Sequence, residues 1–153
     1  MNNNLANEIE NVLNRVFDSL GKPLDKTKYQ IVDRKVPHTP KSLLPHQMGI
    51  YAFYYNNEFL KIGKVGVKSN ARFFSQHYNP KSSMSNLAKS ILQDEKMKSL
   101  KLNEENISQW IKDNCQRIDI LLDEELGIFT LDLIEAVLHF VYQPRYEGFK
   151  TQR

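Results

Sequence analysis

The chain has one cysteine, Cys115, in 153 residues. That excludes an intrachain disulfide and a thiolate zinc cluster. No apolar run approaches the roughly 20 residues that span a bilayer. The start, Met1-Asn2-Asn3-Asn4, lacks the basic stretch and apolar core of a signal peptide. These absences set the expectation of a cytoplasmic protein without a membrane partner. No internal repeat is visible, and no low-complexity stretch beyond Asn2–Asn4. Hydrophobic residues make up 41% and charged residues 25%, close to globular averages, so global disorder is excluded and a single domain over 1–153 is expected.

A local absence says more than the overall charge of +3. From Phe59 to Gln93 there is no Asp or Glu, while Lys61, Lys64, Lys68, Arg72, His77, Lys81 and Lys89 all fall there. A basic field of this kind suits a polyanion. The alternative is a solvated face balanced in space by distant acids such as Glu104 and Glu105.

Periodicity supplies the elements. Leu5, Ile9, Val12, Leu13, Val16, Phe17 and Leu20 recur at helical spacing before Gly21 and Pro23, which predicts an amphipathic helix over 5–20. A strand is read around Tyr29–Val32, and the prolines at 37, 40 and 45 predict an irregular connection over 34–48. Residues 49–55 and 59–65 predict a hairpin around Asn56-Asn57-Glu58. Alternation puts Tyr51, Phe53 and Tyr55 on one face and Ile50, Ala52 and Tyr54 on the other. Ser69 or Asn70 is expected to cap a helix to about Tyr78 that carries Arg72, with Gln76 one turn later. Helices over about 86–98, capped by Ser85, and 104–113, capped by Asn103, read as an insertion spanning 84–114. A further strand is predicted at 117–122, and a final helix from a Thr130 cap to about Tyr142.

The order of elements predicts an α/β (α+β) domain: a small three-stranded mixed or antiparallel sheet flanked by helices. Residues 1–48 read as an N-terminal extension and 49–148 as the core. The final helix is apolar around most of its circumference, which predicts burial. A carboxylate on such a helix, Glu135, is costly unless it is paired or holds a cation. Pairing with His139, one turn on, is the ordinary alternative.

Several of these residues fall in a recognisable order. Gly49-Ile50-Tyr51 is followed by Lys61-Ile62-Gly63-Lys64, then Arg72, then Glu135, and finally Pro144-Arg145-Tyr146-Glu147. This set resembles the GIY-YIG nucleases, metal-dependent enzymes that cut DNA phosphodiesters. The resemblance covers about 49–78 and 117–148. It implies a general-base or water-orienting role for Tyr51, with Lys64 as the nearby cation that lowers the phenol pKa. It implies that Arg72 holds the scissile phosphate and that Glu135 binds Mg2+ or Mn2+. One carboxylate suffices for magnesium when waters and substrate oxygens complete the shell. Lys61, Lys68 and His77 are further candidates for phosphate or DNA contact.

Two positions depart from the family pattern. Lys61 stands where the second Tyr is usual, and Glu147 stands where an Asn is usual. Lysine binds phosphate as a point charge but cannot do a phenol's work. The functional expectation is therefore a DNA endonuclease, with a homodimer or a protein partner supplying specificity. The rivals are a nucleic-acid-binding or regulatory module that has lost turnover, and a protein-interaction domain whose basic patch is merely solvated.

Overall fold

The computed structural model describes residues 4–147. Helix α1 spans Leu5–Ser19, and the Asn4 side chain caps it by accepting from the Asn7 N–H. Its buried stripe is Leu5, Ile9, Leu13 and Phe17, the spacing expected of one helix face. Strand β1 (Tyr29–Lys35) follows, then β2 (Gln47–Tyr55) and β3 (Glu58–Val65). Asn56 and Asn57 both have positive φ, 51° and 65°. They form the two-residue turn whose twist matches the flanking strands.

The sheet is antiparallel throughout, in the order β1-β4-β2-β3, where β4 spans Gln116–Asp123. It therefore has four strands, not three. The added strand is β1, which pairs along β4 from Tyr29↔Leu122 to Lys35↔Arg117. The segment before residue 49 thus enters both the sheet and the core.

The two sheet faces are covered differently. On the first face, Ile50, Ala52, Ile62, Ile118 and Ile120 pack against α1 and helix α5 (Ile128–Tyr142). On the second, Tyr51, Phe53, Leu60 and Val65 pack against three short helices: α2 (Asn70–Phe74), α3 (Leu87–Gln93) and α4 (Ile107–Asn114). The single helix expected to run to Tyr78 is broken. Ser75 leaves helical geometry at φ −131°, and Gln76–Tyr78 form a separate 3-10 turn. The helix expected over 86–98 likewise ends at Gln93, with a 3-10 turn over Glu95–Leu100. Its cap is Asn86, one residue past Ser85.

Helix α5 begins one residue after Gly127, whose φ of 83° suits glycine. Thr130, expected as the cap, lies inside the first turn and donates to the Leu126 carbonyl at 2.6 Å. Leu131, Ile134 and Leu138 are buried, but Phe129 is 84% and Phe140 79% exposed. The expectation of a buried helix therefore fails on its outer side. The sheet covers only the opposite side, and α1 lies along one flank.

Strand β3 is an edge strand, and its outer edge is protected. The Arg145 and Tyr146 N–H groups donate to the Phe59 and Leu60 carbonyls, both at 2.9 Å. His139 Nε2 donates to the Ile62 carbonyl at 2.7 Å. Asp94, just past α3, anchors this covering segment by accepting from Arg145 at 2.7 and 3.0 Å and from the Tyr146 hydroxyl at 2.7 Å. Unpaired edge groups invite pairing with other chains, and these contacts cover three of the β3 carbonyls. No helix among the described residues is long and apolar enough to cross a membrane.

Candidate functional site around Tyr51 and the β3 edge

Tyr51 is fully buried in β2, directly opposite Gly63 of β3. Its ring lies across the edge strand. A Cβ placed on Gly63 would fall 2.1 Å from the Tyr51 hydroxyl oxygen. Glycine is thus required at 63 by space, because no side chain fits under the phenol. Arg72, half-buried at the start of α2, donates from Nε to the Tyr51 oxygen at 3.3 Å. No described residue accepts the phenol's own proton. Burial pushes the Tyr51 phenol up to about 12; Arg72 opposes the rise, and Glu147 and Glu135 add to it. The cation against the phenol is therefore Arg72.

Lys64, assigned that task in sequence, points the other way. Residues 63 and 64 face opposite sides of a strand. Lys64 Nζ bridges two carboxylates of α5, Asp132 at 2.8 Å and Glu135 at 2.9 Å. These bonds raise the Lys64 pKa. His139, the expected partner of Glu135, bonds instead to the Ile62 carbonyl.

His77 packs its ring on Tyr51 with centroids 4.3 Å apart. The Leu87 N–H donates to its Nδ1 at 3.2 Å. A neutral ring that accepts at Nδ1 carries its proton on Nε2. That atom is buried and has no hydrogen-bond partner among the described residues. Burial, followed by the charges of Lys61, Arg72 and Arg117, holds the His77 pKa down to about 2. The ring is a neutral donor in a positive field.

Lys61 is buried through a bulge. Phe53 pairs with Lys61 and Tyr54 with Phe59, so Leu60 is the extra residue. The Lys61 ammonium meets Glu147 at 3.1 Å. Lys68 is exposed in the turn after β3, away from these contacts. Tyr54 and Tyr55 are packing residues, in edge contacts with Phe59 and Trp110.

A buried charged network that sequence reading missed supports the site. Arg117 is fully buried and donates to Asp119 at 2.7 Å, to the Tyr78 hydroxyl at 2.9 Å and to the Phe73 carbonyl at 2.7 Å. Its guanidinium also lies over the Phe73 and Phe53 rings. Arg34 donates to the second Asp119 oxygen at 2.9 Å. Tyr78 bonds onward to His38, whose other nitrogen donates to the Cys115 carbonyl. This chain fixes the end of α2 and the turn that carries His77. Its signal was present in Arg117-Ile118-Asp119-Ile120, where strand alternation puts the two charges on one face.

Among the described residues no group of three or more His, Cys, Asp or Glu side chains is placed to hold a metal. An all-protein cage is therefore absent there. Asp132 and Glu135 are the carboxylate pair at this edge, and the Lys64 ammonium already sits between them. Comparison of the chain with protein-family models, curated proteins and solved structures finds no match in any of the three.

Proposed function

We propose that this chain is a metal-dependent endonuclease that hydrolyses DNA phosphodiesters in the manner of the GIY-YIG enzymes. The observation that carries the reading is the Tyr51 phenol, seated over Gly63 with Arg72 on its oxygen. On the same strand, the residue after Gly63 holds Glu135.

In this reading Arg72 meets the scissile phosphate with its remaining N–H donors, which suit a planar oxyanion. At a pKa near 12, only about one phenol in 100,000 is ionised at pH 7. Tyr51 therefore acts mainly as a neutral phenol whose oxygen positions Arg72. The neutral His77 ring packs on the phenol and holds it in place. Glu135, with Asp132, would hold Mg2+ or Mn2+, and the ion would supply neutralisation of the phosphoryl charge. Lys64 holds the two carboxylates in place.

The second reading, a nucleic-acid-binding module without turnover, is favoured by Lys61. It stands in place of a phenol, and Glu147 already engages its charge.

Plasmid nicking with Mg2+ or Mn2+ tests both. Glu135→Ala should abolish cutting, and Arg72→Ala should slow it by about 100-fold or more, the scale of losing one transition-state donor. Nicking that survives Glu135→Ala sinks the metal assignment. Binding without cutting across metals supports the second reading. No binding at low salt, where phosphate contacts are strongest, ends both.

A further inference from the structure

The outer face of α5 carries an apolar stripe whose two ends, Phe129 and Phe140, are left exposed by the other described residues. Phe129, Leu133, Ala136 and Phe140 fall on one side of the helix at 3.6 residues per turn. This side lies opposite the buried Leu131, Ile134 and Leu138. Phe129 and Phe140 are the most exposed aromatic residues of the described chain. Leu20, Ile128 and Val141 are exposed as well. Leu20 and Phe129 line one apolar groove with Phe17, Leu126 and Leu133, between the end of α1 and the start of α5. Helix α1 in the same layer shows the contrast, because its outer side carries Asn11, Arg15 and Asp18. A helix that is apolar all round is normally covered all round.

The spacing of the stripe identifies the cover. It reads large, medium, small, large at 129, 133, 136 and 140, and it is symmetric about the midpoint between Ile134 and Glu135. When two such helices pack antiparallel, Phe129 faces Phe140 of the other copy, and Leu133 faces the small Ala136. An isologous contact has this self-pairing property. Phe140 of the second copy then lies beside the groove next to Phe129, on the side where Leu133 opens it. The two exposed Phe side chains, with Leu20 beside Phe129, offer roughly 400 Å² of apolar surface per copy, the size of patch that marks an interaction site. No charge stands in the stripe. Asp132, on its flank, is already held by Lys64.

We infer that the chain forms a two-fold homodimer through antiparallel packing of α5 on α5, centred between Ile134 and Glu135. The symmetry has a consequence that rests on the nuclease reading. The two-fold axis runs perpendicular to the plane of the helix pair, so it keeps the Lys64–Glu135 flank of both helices on the same side. Both candidate sites then face one duplex.

Sedimentation of the full chain tests the dimer without DNA or metal, so it stands or falls apart from the nuclease reading. The wild type should be dimeric at about 10 µM, and Phe140→Glu should weaken dimerisation by at least 100-fold. The double variant Phe129→Lys with Phe140→Glu places opposite charges across the antiparallel pair and should restore much of the loss. Circular dichroism verifies that each variant folds, as expected for exposed positions. A wild type that stays monomeric to about 100 µM overturns the inference, as does a dimer that survives Phe140→Glu. A dimer broken by the single change but not restored by the double overturns the antiparallel pairing.

Discussion

The two faces of the sheet are built on opposite terms. The face under α1 and α5 is aliphatic with a few aromatics, and none of the buried charged or histidine side chains belongs to its cluster. The other face holds Lys61, His77, Arg117 and Asp119, all buried, among Tyr51, Phe53, Phe73 and Tyr78. Hydrophobic transfer alone accounts for the first face. On the second, every buried charge depends on a named partner, and a lost partner leaves an uncompensated ion. One face supplies stability, and the other accepts a dependence on pairing to fix polar groups around a phenol. The same division separates α5 from the site it borders. Its inner stripe belongs to the apolar face, while Asp132 and Glu135 reach the β3 edge.

The largest expected effect comes from unpairing the charged face. Arg117→Leu should cost about 3–5 kcal/mol in urea unfolding, because Asp119 loses its closest partner inside the core. Leu138→Ala on the apolar face should cost about 2–5 kcal/mol through a cavity. The two changes separate when partners are removed together. Arg117→Met with Asp119→Leu should recover most of the loss, whereas no second substitution away from the cavity rescues Leu138→Ala. If Arg117→Leu costs under about 1 kcal/mol, the contrast between the faces is wrong.

A smaller effect should follow from Gly63→Ala. The new Cβ would overlap the Tyr51 hydroxyl, at a cost on the order of 1–3 kcal/mol as the ring is forced aside. Tyr51→Leu removes the ring, so Gly63→Ala should cost little in that background. A double-mutant cycle reads the coupling directly. Additive costs would show that the phenol and the glycine are not fitted to one another.

Much of this layout is legible in the chain, and the limits have physical causes. The hairpin, α1 and α5 follow from local periodicity, since their patterns repeat within a few residues. The strand at Tyr29 also reads from alternation, but its place in the sheet does not, because β1 pairs with β4 more than 80 residues away and only tertiary contact decides it. The outer stripe of α5 gives the same hydrophobic period whether neighbours or a second copy cover it. Tyr51, Arg72 and Gly63 were marked by their order along the chain, and they meet in space. The role given to Lys64 ignored strand alternation, which turns it toward α5 and leaves Arg72 on the phenol. Arg117 and Asp119 were passed over because a strand charge reads as solvent-facing unless both sheet faces are known to be covered.

The smallest effect is a difference in pH response. His77 is held neutral in the fold, with its pKa lowered from 6.5 to about 2. Above pH 6.5 the ring is neutral folded or unfolded, and it contributes no pH dependence. As pH falls below 6.5, the unfolded chain binds a proton that the folded chain refuses, so stability falls by up to about 1.4 kcal/mol per pH unit. His77→Phe keeps a ring against Tyr51 and removes that proton. It should flatten the unfolding free energy between pH 6.5 and 4.5, at the cost of the Leu87 N–H bond at every pH. His38, also held below its usual range by burial, leaves a residual slope in the variant. Leu138→Ala should lower the whole curve without changing its slope, because the change removes no titrating group. An unchanged slope in His77→Phe would mean that the ring is protonated within the fold. Its Nε2–H would then belong to a cation rather than to the neutral ring beside Tyr51.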